Sequence, residues 1–258
     1  AWLVIWSHAW PITGVPGGDP LHHLTGYRSA GGIAVDLFFL VSGFLVAASV
    51  QRHPWRQFLL ARAARIYPAL VACVLLTVLV LGPLATNSED YWRDPRTWRY
   101  LWSNATLWRA EFWLPGVFED HPWTSVNGSL WTLPIEARLY LALLVASALG
   151  LLARWRYLLG WTAAIAGVVA FALVAAPLPQ HLVYLAWTTA FFITGTLAWT
   201  WREHLPLHGG VLLALALATV LSAGHVLFVP TYFATLAYGT FWLAFRPRLP
   251  RTRSEERR

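Results

Sequence analysis

The sequence predicts an all-α protein, a transmembrane helical bundle of about eight spans. Its 258 residues are 57% hydrophobic and only 12% charged, whereas a soluble domain carries about 25% charged residues. The apolar residues form long runs of the kind a spanning helix needs, roughly 20 residues each. We therefore expect one polytopic transmembrane domain over residues 1–245, followed by a polar tail at 246–258.

Eight apolar segments are candidate membrane spans. The first begins inside an apolar run with no preceding Met, so we expect the natural N-terminus to lie upstream of Ala1. The last two segments meet at Val229-Pro230. The predicted spans cover residues 1–11, 32–50, 66–86, 128–152, 157–176, 181–201, 209–228 and 230–245.

The basic residues predict the orientation of the bundle. The net charge is +7, and every basic side chain other than histidine is an arginine. The arginines lie at the ends of the apolar segments, which indicates topology control and argues against nucleic-acid binding. Thirteen of the nineteen fall on one side, and such an excess marks the cytoplasmic side. We expect both ends of the chain on that side of a bacterial inner membrane, and segment 87–127 outside.

The outward segment 87–127 is rich in tryptophan. Trp98 and Trp102 are four residues apart and share one face of a helix. Two interpretations stay open, because tryptophan is favoured in the headgroup layer and also forms platforms for sugars or lipid-linked acceptors. The tryptophans are Trp92, Trp98, Trp102, Trp108, Trp113 and Trp123.

The single cysteine, Cys73, lies in an apolar run, where a small buried residue is expected. One cysteine excludes an intramolecular disulfide and a metal site built from cysteines. We expect no bound metal.

Three titratable residues fall within or beside the predicted spans. Asp36 lies in the apolar run of the second span, where an ionisable group costs a few kcal/mol. His8 ends the first span, and Glu136 lies about two turns into the fourth. All three fall in the outer half of the bilayer, and a histidine beside carboxylates suits general base catalysis.

Each of these residues also has a structural interpretation. Asp36 can pair with a polar group of a neighbouring helix, and His8 can be interfacial. Glu136 can contact Tyr140, which is four residues further along the same helix.

Two arginines, Arg62 and Arg65, are three residues apart at the predicted start of the third span. Guanidinium groups bind phosphate in a bidentate manner, although cytoplasmic arginines also anchor helices. Asp36 and Arg52 are separated by about 24 Å along the second span. A donor that joins an inner phosphate site to outer chemistry must therefore be long and thin. Gly43 and Ser42 permit close helix packing.

Four sequence motifs, taken together, resemble the membrane-bound acyltransferase 3 family of bacterial O-acyltransferases. They appear in the family's order and cover roughly the first 140 residues. The matching segments are Ser7-His8-Ala9, Gly32 to Phe44, Arg62 to Pro68, and Ser129 to Tyr140.

The resemblance implies an enzyme that moves an acyl group, often acetyl, from cytoplasmic acyl-CoA to a hydroxyl of an envelope glycan, lipid or small molecule. By motif, His8 is the base, Asp36 its buried partner, and Glu136 a residue of the acceptor side. Arg62 and Arg65 are implied in CoA binding. Tyr67 is assigned to the donor with them, and Trp131, Tyr140 and Ser42 are assigned to substrate binding.

The family also pairs its histidine with an arginine eleven positions upstream, which falls before Ala1, and its members have about ten spans.

The rival prediction is a proton-coupled transporter or exporter of an envelope precursor, since buried Asp, Glu and His also build proton relays. The ionisable residues lie in the first half without a matching set in the second, which disfavours transport. A non-catalytic scaffold would leave Asp36 without a purpose.

Overall fold

The computed structural model describes residues 2–13, 18–154, 160, 162–163, 166–167 and 179–245. The helices are α1 (Trp2–Thr13), α2 (Pro20–Thr25), α3 (Ala30–Arg52), α4 (Trp55–Ala85), α5 (Pro95–Ala105), α6 (Thr132–Ala148), α7 (Leu151–Arg154), α8 (Gln180–Thr200), α9 (Gly209–Leu221) and α10 (Phe228–Phe245). Within these ranges there is no β-strand, and the predicted all-α class is confirmed.

Four helices are long and apolar enough to cross a membrane, which makes this a multi-pass membrane protein. They are Ala30–Arg52, Trp55–Ala85, Gly128–Ala148 and His181–Thr200. The predicted count of eight is not confirmed. Helix α9 has 13 residues and is about 20 Å long, against a hydrocarbon thickness of about 30 Å. The predicted span 157–176 lies largely, and the tail 246–258 entirely, outside the described residues.

Helix α3 is the centre of the bundle. The Ser29 hydroxyl caps its first turn by accepting a hydrogen bond from the Gly32 amide at 3.1 Å. The helix ends at Arg52, because the residue before Pro54 is disfavoured in helical conformation. The face of α3 that includes Phe39, Leu40 and Ala47 is fully buried.

Helices α3 and α8 pack with their backbones in contact at two glycines. A Cβ atom on Gly43 would lie 1.9 Å from the Phe192 carbonyl oxygen, and one on Gly195 would lie 2.0 Å from that of Leu40. Neither distance leaves room for a side chain, so small residues set the separation of these helices. The predicted packing role of Gly43 is confirmed.

Helix α4 starts earlier than the sequence predicts, at Trp55 in place of residue 66. The first turns contain arginine and glutamine, so a search for apolar runs excludes them, although they are helical. The other end contains a π-helical segment at Thr77–Leu81. There the Tyr91 hydroxyl donates to the Val78 carbonyl oxygen at 2.9 Å, which ties the outward segment to α4.

Helix α5 in the outward segment packs one face on the protein and leaves its tryptophans exposed. Thr97, Tyr100 and Asn104 are buried, whereas Trp98 and Trp102 are 41% and 65% exposed. This arrangement fits both interpretations of the tryptophan face.

The contact between α3 and α8 predicts that Gly43→Ala and Gly195→Ala each destabilise the protein. A new methyl group would meet backbone, which cannot rotate away, and overpacking of this kind costs about 1–3 kcal/mol. Thermal unfolding of the detergent-solubilised full-length protein measures the loss. Gly210→Ala is the matched control, because its Cβ meets nothing within 4 Å. Unchanged melting of both Gly43→Ala and Gly195→Ala would contradict the packing argument.

Candidate active site

Asp36 is fully buried and accepts hydrogen bonds from three other segments of the chain. Arg28 donates from both Nε and Nη2 in a bidentate ion pair, with Nε 2.9 Å from Oδ2. Trp187 Nε1 donates to Oδ1 at 2.8 Å, and the Tyr232 hydroxyl donates to Oδ2 at 2.8 Å. Both carboxylate oxygens are therefore satisfied, which is the condition for burying a charge in a low-dielectric interior.

The donors to Asp36 are held by a column of aromatic rings. Tyr27 stacks on Phe228, Phe228 on Tyr232, and Tyr232 on Trp187, with interplanar angles of 13°, 17° and 10°. The Arg28 guanidinium lies 4.9 Å from the Trp187 ring centroid. A cavity of about 40 Å³ lies among these residues. The column packs α8 and α10 against the start of α3.

Sequence reasoning did not identify Arg28, Trp187 and Tyr232 as partners of Asp36. Arg28 is one of the arginines outside the group of thirteen that predicts the cytoplasmic side, and the other two partners lie 151 and 196 residues from Asp36 along the chain. The available signal was the bidentate geometry that arginine offers a carboxylate, with Arg28 directly before the helix that contains Asp36.

His8 lies in α1, beside the first turn of α3. Its neighbour Ser7 is buried and donates to Asp19 Oδ2 at 2.6 Å, and the Ala30 amide donates to the same oxygen at 2.8 Å. The ring of His8 is half-buried. Among the described residues, His8 makes no hydrogen bond to Asp36, since Arg28, Trp187 and Tyr232 already occupy that carboxylate.

Asp19 fixes α1 relative to α3. Burial would raise the pKa of its carboxyl, but hydrogen bonds from Ser7 and from the amides of Ala30, Leu21 and His22 outweigh burial and lower the pKa below its ordinary value of 3.8. A group whose pKa is lowered by folding stabilises the fold above its unfolded pKa. That contribution disappears as the pH falls through the folded pKa.

Glu136 and Tyr140 are in direct contact, as the structural interpretation of the sequence predicts. Both side chains are buried, and the Tyr140 hydroxyl donates to Glu136 Oε1. The Ser42 hydroxyl on α3 lies 3.4 Å from the same Tyr140 oxygen. A chain of hydroxyls thus joins the middle of α3 to the buried carboxylate on α6.

Arg62 and Arg65 line a cavity of about 220 Å³ beside Ser42. The Arg62 guanidinium lies 5.9 Å from the Phe58 ring and 5.7 Å from the Tyr140 ring. Its Nε is buried and has no hydrogen-bond partner among the described residues. The remaining lining residues are apolar side chains of α3: Leu37, Phe38, Val41, Leu45 and Val46.

The expected separation of Arg62 and Arg65 from Glu136 is wrong. The sequence predicts the arginines at the start of a span and Glu136 toward the outside. In the structure the Arg62 guanidinium lies 5.7 Å from the ring of Tyr140, whose hydroxyl donates to Glu136, and both arginines line the cavity beside Ser42. The physical reason is the early start of α4 at Trp55, which places Arg62 and Arg65 two to three turns inside the helix. They therefore face the middle of α3.

Trp131 and Tyr67 lie at the edges of this arrangement. Trp131 is half-buried, and its ring centroid lies 5.1 Å from that of Tyr184 on α8, a residue of the smaller cavity. Tyr67 is 40% exposed on α4 and is not among the residues that line the larger cavity. Across the part of the chain that is described, no group of three His, Cys, Asp or Glu side chains could hold a metal ion.

The Arg28–Asp36 pair predicts a non-additive effect on stability. Arg28→Ala leaves an uncompensated buried carboxylate and is expected to cost about 3–5 kcal/mol. The double variant Arg28→Ala with Asp36→Asn removes that charge and is expected to be more stable than Arg28→Ala alone. A double-mutant cycle by thermal unfolding checks this. The exposed pair Arg93–Asp90 gives the control, because Arg93→Ala should change stability by under about 0.5 kcal/mol.

Asp19 predicts a dependence of stability on pH. Wild-type protein should be more stable than Asp19→Asn at neutral pH, and the difference should shrink as the pH falls below about 4, where the carboxyl becomes protonated. Unfolding of both variants across an acid pH series measures the difference. A difference that stays constant down to pH values well below the ordinary pKa would contradict the assignment.

Comparison with known proteins gives a consistent result. The sequence profile of the family described as an acyltransferase domain matches residues 1–248. An O-acetyl transferase of Shigella phage Sf6 is 33% identical over 150 residues, which cover 57% of this chain and 43% of the phage protein. Nodulation protein 10 of Rhizobium leguminosarum bv. viciae is 33% identical over 153 residues, covering 54% of this chain and 39% of that protein.

The chain thus spans about two fifths of the length of these curated relatives. No solved structure matches it. Since the family profile covers residues 1–248, nearly the whole chain, the chain belongs to the membrane-bound acyltransferase 3 family.

Proposed function

We propose that the full-length protein is an integral membrane O-acyltransferase. It moves an acyl group, acetyl in the simplest case, from cytoplasmic acyl-CoA to a hydroxyl of an envelope glycan or a secreted small molecule. The matched family and the phage O-acetyl transferase support the reaction class. We place both ends of the chain on the cytoplasmic side of a bacterial inner membrane, and the arginine distribution supports this orientation.

The cavity beside Arg62 and Arg65 is the observation that carries the proposal. Arg62 is held between two rings, and its buried Nε has no partner among the described residues. A buried N–H group without a hydrogen-bond acceptor costs free energy unless a bound ligand accepts its hydrogen bond. An anionic ligand is the natural complement, because guanidinium groups bind phosphate oxygens in a planar fork. The phosphates of CoA are such a ligand.

The position of the cavity fits a long, thin donor. Ser42 in the cavity and Gly31, against which Ser7 packs, are eleven residues apart on α3, or about 16 Å. A donor with its phosphates at Arg62 and Arg65 would reach the level of His8 only through a slender arm. The pantetheine arm of CoA has that shape, and the apolar residues of the cavity suit it.

We propose that catalysis and donor binding take place at different positions along α3. We assign His8 as the base that takes the proton of the acceptor hydroxyl, whose oxygen then attacks the thioester carbonyl carbon. The new C–O bond forms as the C–S bond breaks, and the departing thiolate takes up a proton. Asp36 acts through Arg28, Trp187 and Tyr232 by holding three helices around the outer end. Glu136 and Tyr140 position Ser42 and the two arginines.

The acceptor side is assigned to the end of the bundle near Trp131. Its contact with Tyr184 places it beside the smaller cavity with Arg28 and Tyr232. Aromatic side chains and a guanidinium suit the hydroxyl-rich surface of a sugar. A glycan acceptor therefore fits this end, although lipids and small secreted molecules offer the same reacting hydroxyl.

Substitutions in the cavity test the donor site. Arg62→Ala and Arg65→Ala in the full-length protein should each raise the KM for acetyl-CoA by about tenfold or more, because each removes a charge-assisted contact. Radiolabelled acetyl transfer in isolated membranes measures this. Arg56→Ala is the matched control, since Arg56 lies on the same helix, is exposed, and contacts Trp55 in place of the cavity. An unchanged KM in both cavity variants would show that Arg62 and Arg65 do not bind the donor.

The same assay tests the base. His8→Ala should lower kcat by at least about 100-fold, which is the usual contribution of a general base. Wild-type turnover by His8→Ala would overturn the assignment of His8. Absence of acetyl transfer by the wild-type protein to any hydroxyl of the envelope or of secreted products would overturn the proposed function, and proton-coupled transport would then be the rival.

A further inference from the structure

Two arginines share one tryptophan at the end of α3 that lies farthest from Asp36. The Cζ atom of Arg52 lies 4.9 Å from the Trp199 ring centroid, and that of Arg202 lies 4.1 Å from it. Both arginine side chains are exposed, whereas Trp199 is 7% exposed. Two positive charges are thus held close together at one mouth of the bundle.

The positions of these groups are fixed by hydrogen bonds. Trp199 Nε1 donates to Gln51 Oε1 at 2.9 Å, and Arg202 Nη1 donates to the Trp199 carbonyl oxygen at 3.0 Å. Glu203 pairs with Arg202 at 3.0 Å, but Arg52 has no carboxylate partner within the described part of the chain. Two guanidinium groups and one carboxylate leave an excess of positive charge. Because like charges repel, a bound anion would stabilise this arrangement.

Arg52 also lies in line with the donor cavity. Val41 and Leu45 line that cavity, and Arg52 is seven residues beyond Leu45, which is two helical turns, or about 10 Å, along the same face of α3. Val41 and Leu45 are 39% and 51% exposed. A ligand that leaves the cavity along this face reaches Arg52 next.

We propose that Arg52, Trp199 and Arg202 form a second phosphate site, which binds the terminal phosphate monoester at the nucleotide end of the donor. The inference rests on the proposed function, in which Arg62 and Arg65 bind the inner phosphates. A phosphate monoester carries a charge of about −1.5 to −2 near neutral pH, which is opposite in sign to the excess positive charge of this arrangement. Arg202 already donates to the Trp199 carbonyl oxygen and to Glu203, whereas Arg52 has no carboxylate partner among the described residues, so its planar fork of N–H groups is the main donor to the phosphate.

The test compares acetyl-CoA with 3′-dephospho-acetyl-CoA as donors for the full-length protein in nanodiscs of neutral lipid. Arg52→Ala and Arg202→Ala should each raise the KM for acetyl-CoA by about tenfold and leave the KM for the dephospho donor unchanged. The wild-type protein should itself show the higher KM with the dephospho donor. Arg56→Ala is the control, because Arg56 stacks on Trp55 at a similar distance, 5.2 Å, without a second arginine.

Equal KM changes for both donors, or no change for either, would overturn the proposal. A phosphate can also come from a lipid headgroup, so the assay is repeated in nanodiscs that contain phosphatidic acid. If the effect of Arg52→Ala follows the lipid composition and not the donor's phosphate, the donor assignment is overturned. None of these outcomes contradicts the proposed function. The proposed function is contradicted if the wild-type protein transfers acetyl from neither donor.

Discussion

The buried carboxylate of Asp36 is the constraint on which the rest of the structure depends. A charge at membrane depth is tolerated only where every lone pair finds a donor. Here the donors come from the segment before α3, from α8 and from α10. Satisfying one side chain therefore brings three distant parts of the chain to one point. The same contacts fix Arg28 and the aromatic column, and with them the end of the bundle at which α3 begins.

Helix α3 carries the groups of the candidate site at successive depths. Asp36 organises the N-terminal end of α3, Ser42 lies in the arginine-lined cavity, and Arg52 lies at the C-terminal end. The glycine contact sets the separation of α3 and α8, because a side chain at Gly43 or Gly195 would meet the backbone of the other helix. In the proposed enzyme, a fixed packing distance around α3 would keep the donor and acceptor sites in register, which is what positioning contributes to a transfer reaction.

Much of the fold could be predicted from the sequence, because lipid imposes simple rules. Long apolar runs give helices, the cost of burying a charge singles out Asp36, and a four-residue spacing gives the contact between Glu136 and Tyr140. Two of the partners of Asp36, Trp187 and Tyr232, could not be predicted, since they are remote in sequence and aromatic residues are common in membrane helices. The position of Arg62 along its helix could not be predicted, because the helix begins with polar turns and a search for apolar runs does not detect them.

The central claim is that an acyl-CoA donor occupies the cavity between α3 and α4 with its acyl end toward His8. A cryo-EM structure of the full-length protein with a non-hydrolysable thioether analogue of acetyl-CoA tests this most directly. We predict density for phosphate against Arg62 and Arg65, and density for the acyl group near the first turn of α3. Phosphates bound elsewhere, or a lipid tail filling the cavity while the analogue is bound at another place, would contradict the account.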